Sequence, residues 1–255
     1  MADRKPNVPV EPPEERKVPF LLLVVVTIAS LVLSDMPVFS IIYSPIQTFT
    51  TALHEIGHAL FCSLTGGSVT GMTIVSDGAG HGGLTFGLGG SHFIYGQTGY
   101  LGTTLFGCIM LWLGRRQSFT RPVLVGLGVL LLASVFFYMM PGLYNKPEYS
   151  GQIMSSMVIG VLMAAALFAG AKWLPLQVAS LVLLFLGVQT ALNALHDIVV
   201  LAQITLGMHG PASFSDATNM AQETGIPAIV WSFFWGLSSL AMLGMTIKLA
   251  YGKGK

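Results

Sequence analysis

His54-Glu55-Ile56-Gly57-His58 is the stretch of this chain whose residue types and spacing could activate a water molecule. On a helix, residues four apart share a face, so both imidazoles can reach one cation while the carboxylate between them stands beside it as a proton acceptor. That is the chemistry of metal-assisted peptide hydrolysis. The chain holds six His and six Glu in 255 residues. A chance match to the three fixed positions is then expected only roughly 0.003 times, from the product of frequencies and length. Two histidines need a third protein ligand if a fourth position is to be left for water.

The elements that must position these residues are apolar. The motif lies inside Pro45-Ile-Gln-Thr-Phe-Thr-Thr-Ala-Leu-His-Glu-Ile-Gly-His-Ala-Leu-Phe-Cys62, in a chain that is 53% hydrophobic and 9% charged, with a mean hydropathy of +0.72. A soluble domain carries about a quarter charged residues. A formal charge of +1 excludes the basic excess that phosphate backbones require, so no nucleic-acid partner is expected. Two cysteines, neither in a CxxC pair, exclude a disulfide framework. Apolar runs at about 18–34, 45–64, 94–114, 123–140, 153–171, 174–204 and 226–251 approach or exceed the roughly 20 residues a bilayer span needs. Continuous runs rather than alternating ones exclude a barrel. The expected fold is an all-α polytopic membrane protein of six to seven transmembrane helices. Residues 1–17, with four prolines and eight charges, read as a disordered tail, and residues 18–252 as a single transmembrane domain.

Seven alternating spans would divide the Lys and Arg residues five against seven between the two sides, whereas an even number of crossings before Arg115 divides them eleven against one. The positive-inside rule then favours six crossings, a re-entrant segment within 35–93, and both termini in the cytosol of a cell-membrane protein. That segment includes an alternating, β-branched stretch, 66–77, followed by seven glycines in 78–90. It reads as a short β-hairpin after the HExxH helix.

An ionised group at the bilayer centre costs about 2.5–3.5 kcal/mol on insertion scales, which makes each intramembrane carboxylate a functional candidate. Two lie deep in the apolar runs, Glu55 and Asp197. Glu55 reads as the general base and Asp197 as the third metal ligand beside His54 and His58. Asp216, in Ser213-Phe-Ser-Asp216-Ala, is the competing carboxylate, with a helix N-cap as its ordinary role. Cys62 shares the histidine face but reads as a small buried hydrophobe. Asn193, one turn before Asp197, is a candidate substrate-binding residue or a helix-packing amide. His92 and His81 read as solvated loop residues or as lining a substrate path. Gly96–Gly102 would let helices approach closely, with Gln97, Thr98, Thr103 and Thr104 lining a wet cavity or bonding between helices.

These residues resemble the site-2 protease family of intramembrane zinc metalloproteases, in its compact, peptidase-like branch. The matching features are His54-Glu55-x-x-His58 in an apolar helix, Thr65-Gly-Gly-Ser-Val-Thr-Gly71 after it, Thr98-Gly-Tyr-Leu-Gly102, and the distal Asn193, Asp197 and Ser215-Asp216-Ala217. The resemblance implies Zn2+ held by His54, His58 and a distal aspartate, carried over as Asp197, with Glu55 as base. It also implies a membrane-spanning protein as substrate, cut near the bilayer face. The sequence departs from the family where prolines and an Asp-Gly pair are usual, since Asn193 and Asp197 are only four apart and Ile198 follows. The competing class is a metal-ion transport protein using the same His/Asp cluster, which would have no specific need of Glu55.

Overall fold

The computed structural model describes residues 21, 24–25, 28–29, 40–75, 82–206 and 215–251. The first of the expected spans therefore lies mostly outside the described residues, as does the 1–17 tail. The HExxH stretch forms helix α1, Ser40–Leu64, 25 residues long. Its apolar face, Ala52, Leu53, Ile56 and Ala59, is fully buried. It ends where Gly66 takes a positive φ of 87° and the Gly67 N–H donates back to the Cys62 carbonyl at 2.9 Å, a left-handed exit that favours glycine.

The expected hairpin follows. β1 (Ser68–Thr73) pairs antiparallel with β2 (Leu84–Leu88), with Thr73 opposite Leu84, Met72 opposite Thr85, and a bulge between Val69 and Gly71. After a single helical turn at His92–Tyr95 come α2 (Thr98–Gly114), α3 (Gln117–Ser134), α4 (Ser150–Trp173), α5 (Leu176–Thr205), α6 (Asp216–Thr224) and α7 (Ala228–Tyr251). A π-helical turn, Val135–Met139, and a short turn at Gly142–Asn145 extend α3 towards the hairpin.

Among the described residues, four helices are long and apolar enough to cross a membrane: Gln117–Asn145, Pro147–Trp173, Leu176–Gln203 and Ala228–Tyr251. The first of the six to seven expected spans lies mostly outside these residues. α2 has only 17 residues, about 25 Å of helix, short of the roughly 30 Å hydrocarbon core. α1 is long enough but carries Gln47, Thr48, Thr50, Thr51, His54, Glu55 and His58. Its central part packs against α2, α5 and both strands.

Small residues set the helix spacing. A Cβ at Gly57 would collide with the backbone carbonyl oxygen of Thr98, and one at Gly107 would lie 3.0 Å from the Ala191 backbone nitrogen. Because hydrocarbon provides no hydrophobic drive between helices, such close approach and interhelical hydrogen bonds must hold them. The bonds include Thr104 to Ser239 at 2.8 Å, Thr120 to Ser180 at 2.9 Å, and the Ile74 N–H to the Ser156 hydroxyl at 2.8 Å. Thr98 donates to the Gly57 carbonyl at 2.9 Å, and Gln97 and Thr103 bond within their own segment. The glycines and hydroxyls of 96–104 thus serve packing.

Gly57→Ala is expected to destabilise the detergent-solubilised protein by about 1–3 kcal/mol or more, by overpacking against rigid backbone. Gly126→Ala, where an added methyl meets nothing within 4 Å, is expected to leave the thermal midpoint unchanged or slightly raised. A melting curve of both variants checks the pair.

Candidate metal centre

Helical spacing on α1 sets His54 edge to face against His58, with their ring centroids 4.8 Å apart. Each turns its Nε2 inward, so that the two nitrogens are 3.1 Å apart. Asp216 Oδ2 stands 3.1 Å from the first and 3.3 Å from the second. No other trio of His, Cys, Asp or Glu donors converges in this way among the described residues.

The structure brings Asp216 to the imidazole pair where the sequence pointed to Asp197. Asp197 lies on an exposed position of α5 and is absent from the converging group. The local cause lies in the start of α6. Ser215 is the N-cap: its hydroxyl accepts from the Thr218 N–H at 3.2 Å, and Thr218 Oγ1 accepts from the Ser215 N–H at 2.9 Å. The capping role expected of Asp216 thus falls one residue earlier, which frees its carboxylate to turn to the imidazoles. Burial raises the proton affinity of that carboxyl, but the imidazoles of His58 and His54 outweigh it and hold the group well below the usual carboxylate range.

The surroundings fix the donors. His58 Nδ1 lies 2.7 Å from the Tyr95 carbonyl oxygen. A carbonyl can only accept, so Nδ1 carries a proton, and that bond fixes the ring with its Nε2 directed to the centre. His54 is flanked by Tyr100, edge to face at 4.7 Å, and Tyr100 in turn stacks on Trp235 at 5.1 Å. Gly99 forms the floor: a Cβ there would strike both imidazole Nε2 atoms.

The donor set fits a divalent zinc ion. Four ligands about 2.0–2.1 Å from a tetrahedral centre stand about 3.3–3.4 Å apart, and two imidazoles with one carboxylate form an accepted set for a site that keeps one position open. The observed separations of 3.1, 3.1 and 3.3 Å are those of a slightly contracted face of that tetrahedron.

Glu55 is buried beside the cluster, at 6% exposure, and accepts a 2.6 Å hydrogen bond from Thr85 of β2. The hairpin is therefore attached to the site through the carboxylate. A Cβ at Gly83 would approach Glu55 Cγ to 2.8 Å, so glycine is what lets the strand come this close. Asn193 donates to Thr50 Oγ1 at 3.1 Å, which ties α5 to α1 one turn before His54. Cys62 is fully buried, in the small-hydrophobe role expected of it. His92 pairs with Glu223 of α6 and lines an open cavity of about 950 Å³ between β2 and α6. His81 and His209 lie outside the described residues. Thr85, Gly99 and the Tyr95 carbonyl were not singled out for these roles in the sequence, because each acts through a long-range approach that no local pattern encodes.

A helical membrane bundle built around an HExxH helix defines the class, a membrane metalloprotease. The chain matches the Peptidase M50B-like family over residues 21–246 and belongs to that family, the site-2 proteases. No curated protein and no solved structure matches it.

Gly99→Ala is expected to push the imidazoles apart and lower bound zinc at least tenfold after dialysis. Gly151→Ala, where a methyl meets nothing within 4 Å, is expected to retain wild-type zinc. Elemental analysis of the purified proteins measures both.

Proposed function

We propose that the protein is an intramembrane zinc endopeptidase that hydrolyses peptide bonds of membrane-spanning proteins, with His54, His58 and Asp216 as metal ligands and Glu55 as general base. The observation that carries this reading is the convergence of His54 Nε2, His58 Nε2 and Asp216 Oδ2 within 3.3 Å of one another. With the Nδ1 proton of His58 directed to Tyr95, three potential ligand atoms face one another, an arrangement that one shared cation would satisfy.

Zinc bound there would supply Lewis acidity, activating a water and polarising a peptide carbonyl. The remaining work belongs to the chain. Glu55 accepts the proton of the attacking water and returns it to the leaving amine. The Thr85 hydroxyl holds the carboxylate in one orientation for both transfers. Gly99, having no side chain, leaves the donor face unobstructed. Asn193, through its bond to Thr50, keeps α1 fixed against α5.

A transmembrane helix hides its carbonyls in hydrogen bonds, so the substrate must unwind before attack. The free edge of β2 can receive it as an added strand. Consecutive residues Thr85, Phe86, Gly87 and Leu88 line the cavity, as a strand edge does, whereas one face would present every second residue. The Thr85 bond places that edge next to Glu55.

Glu55→Gln is expected to retain zinc and to lose at least a thousandfold in turnover of a cleavable membrane peptide. Asp216→Ala is expected to lose zinc and activity together, and Asp197→Ala to keep its zinc. Zinc content and single-turnover cleavage of the three proteins decide the matter. Full zinc in Asp216→Ala with loss in Asp197→Ala would restore Asp197 as the ligand and overturn the assignment made here.

A further inference from the structure

The cavity beside β2 has an uneven charge distribution. Its single lining carboxylate, Glu223, is engaged by His92. Its single lining Lys or Arg is Lys146, in the connection between α3 and α4. No described carboxylate lies within ion-pair distance of the Lys146 ammonium, which stands 4.9 Å from the centroid of the Phe86 ring. Phe86 belongs to β2, the strand whose edge lines the cavity.

The backbone is shaped to put the lysine there. Gly71 on β1 and Gly142 in the turn preceding Lys146 approach so closely that a Cβ on Gly71 would lie 3.0 Å from Gly142 Cα and 3.3 Å from Lys146 Cγ. The lysine stem thus crosses β1 through space left by a missing side chain, and its head comes to rest on the Phe86 ring. An aromatic face covers one side of an ammonium and leaves the other free for an anion. A lysine serving only lipid would extend its head away to the headgroups. The remaining polar wall includes three carboxamides, Asn145, Asn219 and Gln222, groups that both donate and accept and so suit an extended peptide backbone.

We propose that Lys146 is a specificity-determining residue that receives a carboxylate of the bound peptide, so that the preferred substrates carry an Asp or Glu side chain, or the free C-terminus of a chain already cut once, in the segment lying along β2. This rests on the protease reading above and adds the chemical class of its substrate. Both carboxylates offer the same acceptor oxygens to the ammonium.

The test uses the full-length Glu55→Gln protein in neutral phosphatidylcholine nanodiscs. The probes are fluorescein-labelled leucine/alanine transmembrane peptides flanked by Gly-Ser-X-Ser-Gly. X is Glu, Gln or Lys with an amidated C-terminus, and a fourth peptide has X as Gln with a free carboxylate. Anisotropy is expected to show at least one carboxylate peptide binding roughly five-fold tighter than the amidated Gln peptide, and which one does so identifies the source. Lys146→Met should abolish the preference and Lys146→Glu should transfer it to the Lys peptide. Equal binding of all four peptides to the Lys146-containing protein, or a preference that survives Lys146→Met, overturns the proposal. So does an effect of Lys146→Met confined to retention on phosphatidylglycerol vesicles, which would assign the lysine to lipid. Cleavage by the protein with Glu55 intact separates the two readings: carboxylate preference without zinc-dependent cleavage refutes the protease and leaves Lys146 as a peptide-binding residue.

Discussion

Three polar side chains face one another inside an apolar bundle, and much of the surrounding structure follows from having to satisfy them. Two imidazoles and a carboxylate in a low-dielectric interior are tolerable only if their lone pairs and charge are shared with a cation or with protons. α1 resolves part of this by turning its central His and Glu residues onto protein. Its 25 residues could reach across a bilayer, yet the helix is wrapped by α2, α5 and the hairpin, and the cost of its His and Glu is offset by hydrogen bonds that lipid could not supply. The Tyr95 carbonyl on His58 and the Thr85 hydroxyl on Glu55 are two of those bonds. Each also fixes a protonation state or an orientation, so the groups that make the cluster affordable are the ones that would make it reactive.

That wrapping explains the glycines. Neighbouring backbone can reach the imidazoles only where side chains are missing, and Gly57, Gly83 and Gly99 are the places where strand or helix meets α1. A methyl at any of them would widen the approach by a few tenths of an ångström or more, a displacement comparable with the tolerance of a metal site. The density of glycine therefore follows from the site as much as from turn chemistry.

The chemistry of α1 was legible in the sequence because helical periodicity is local: His54, Glu55 and His58 are placed by a spacing of four and by nothing remote. The hairpin was legible for the same reason, through alternation in 66–77 and the glycines after it. Asp197 and Asp216 could not be ranked in this way. Both are remote carboxylates, and an intramembrane position argued for the first. The choice turns on which residue caps α6, and Ser215 and Asp216 are both good caps; only the observed bonds to Thr218 assign the cap to the serine. Hydropathy measures apolarity and not whether lipid or protein covers it, so it does not separate a span such as α7 from a partly covered run such as α1. α1 buries its central face, whereas α2 keeps Leu105, Ile109 and Trp112 exposed.

The hairpin gives the site a direction. β2 carries Thr85, which holds Glu55, and Phe86, on which Lys146 rests, at adjacent positions of one strand. Successive side chains of a strand point to opposite faces, so one residue meets Glu55 and the next meets Lys146. A peptide paired along this edge would have its register set by the same backbone bonds that align Glu55. Position along the substrate and orientation of the base are then properties of a single element, and a change that shifts β2 by one residue would exchange the two faces and disable both. The bulge between Val69 and Gly71 bears on this directly, because a bulge pins the pairing of the strands on either side of it, and here it holds Thr85 opposite Met72 where Glu55 requires it.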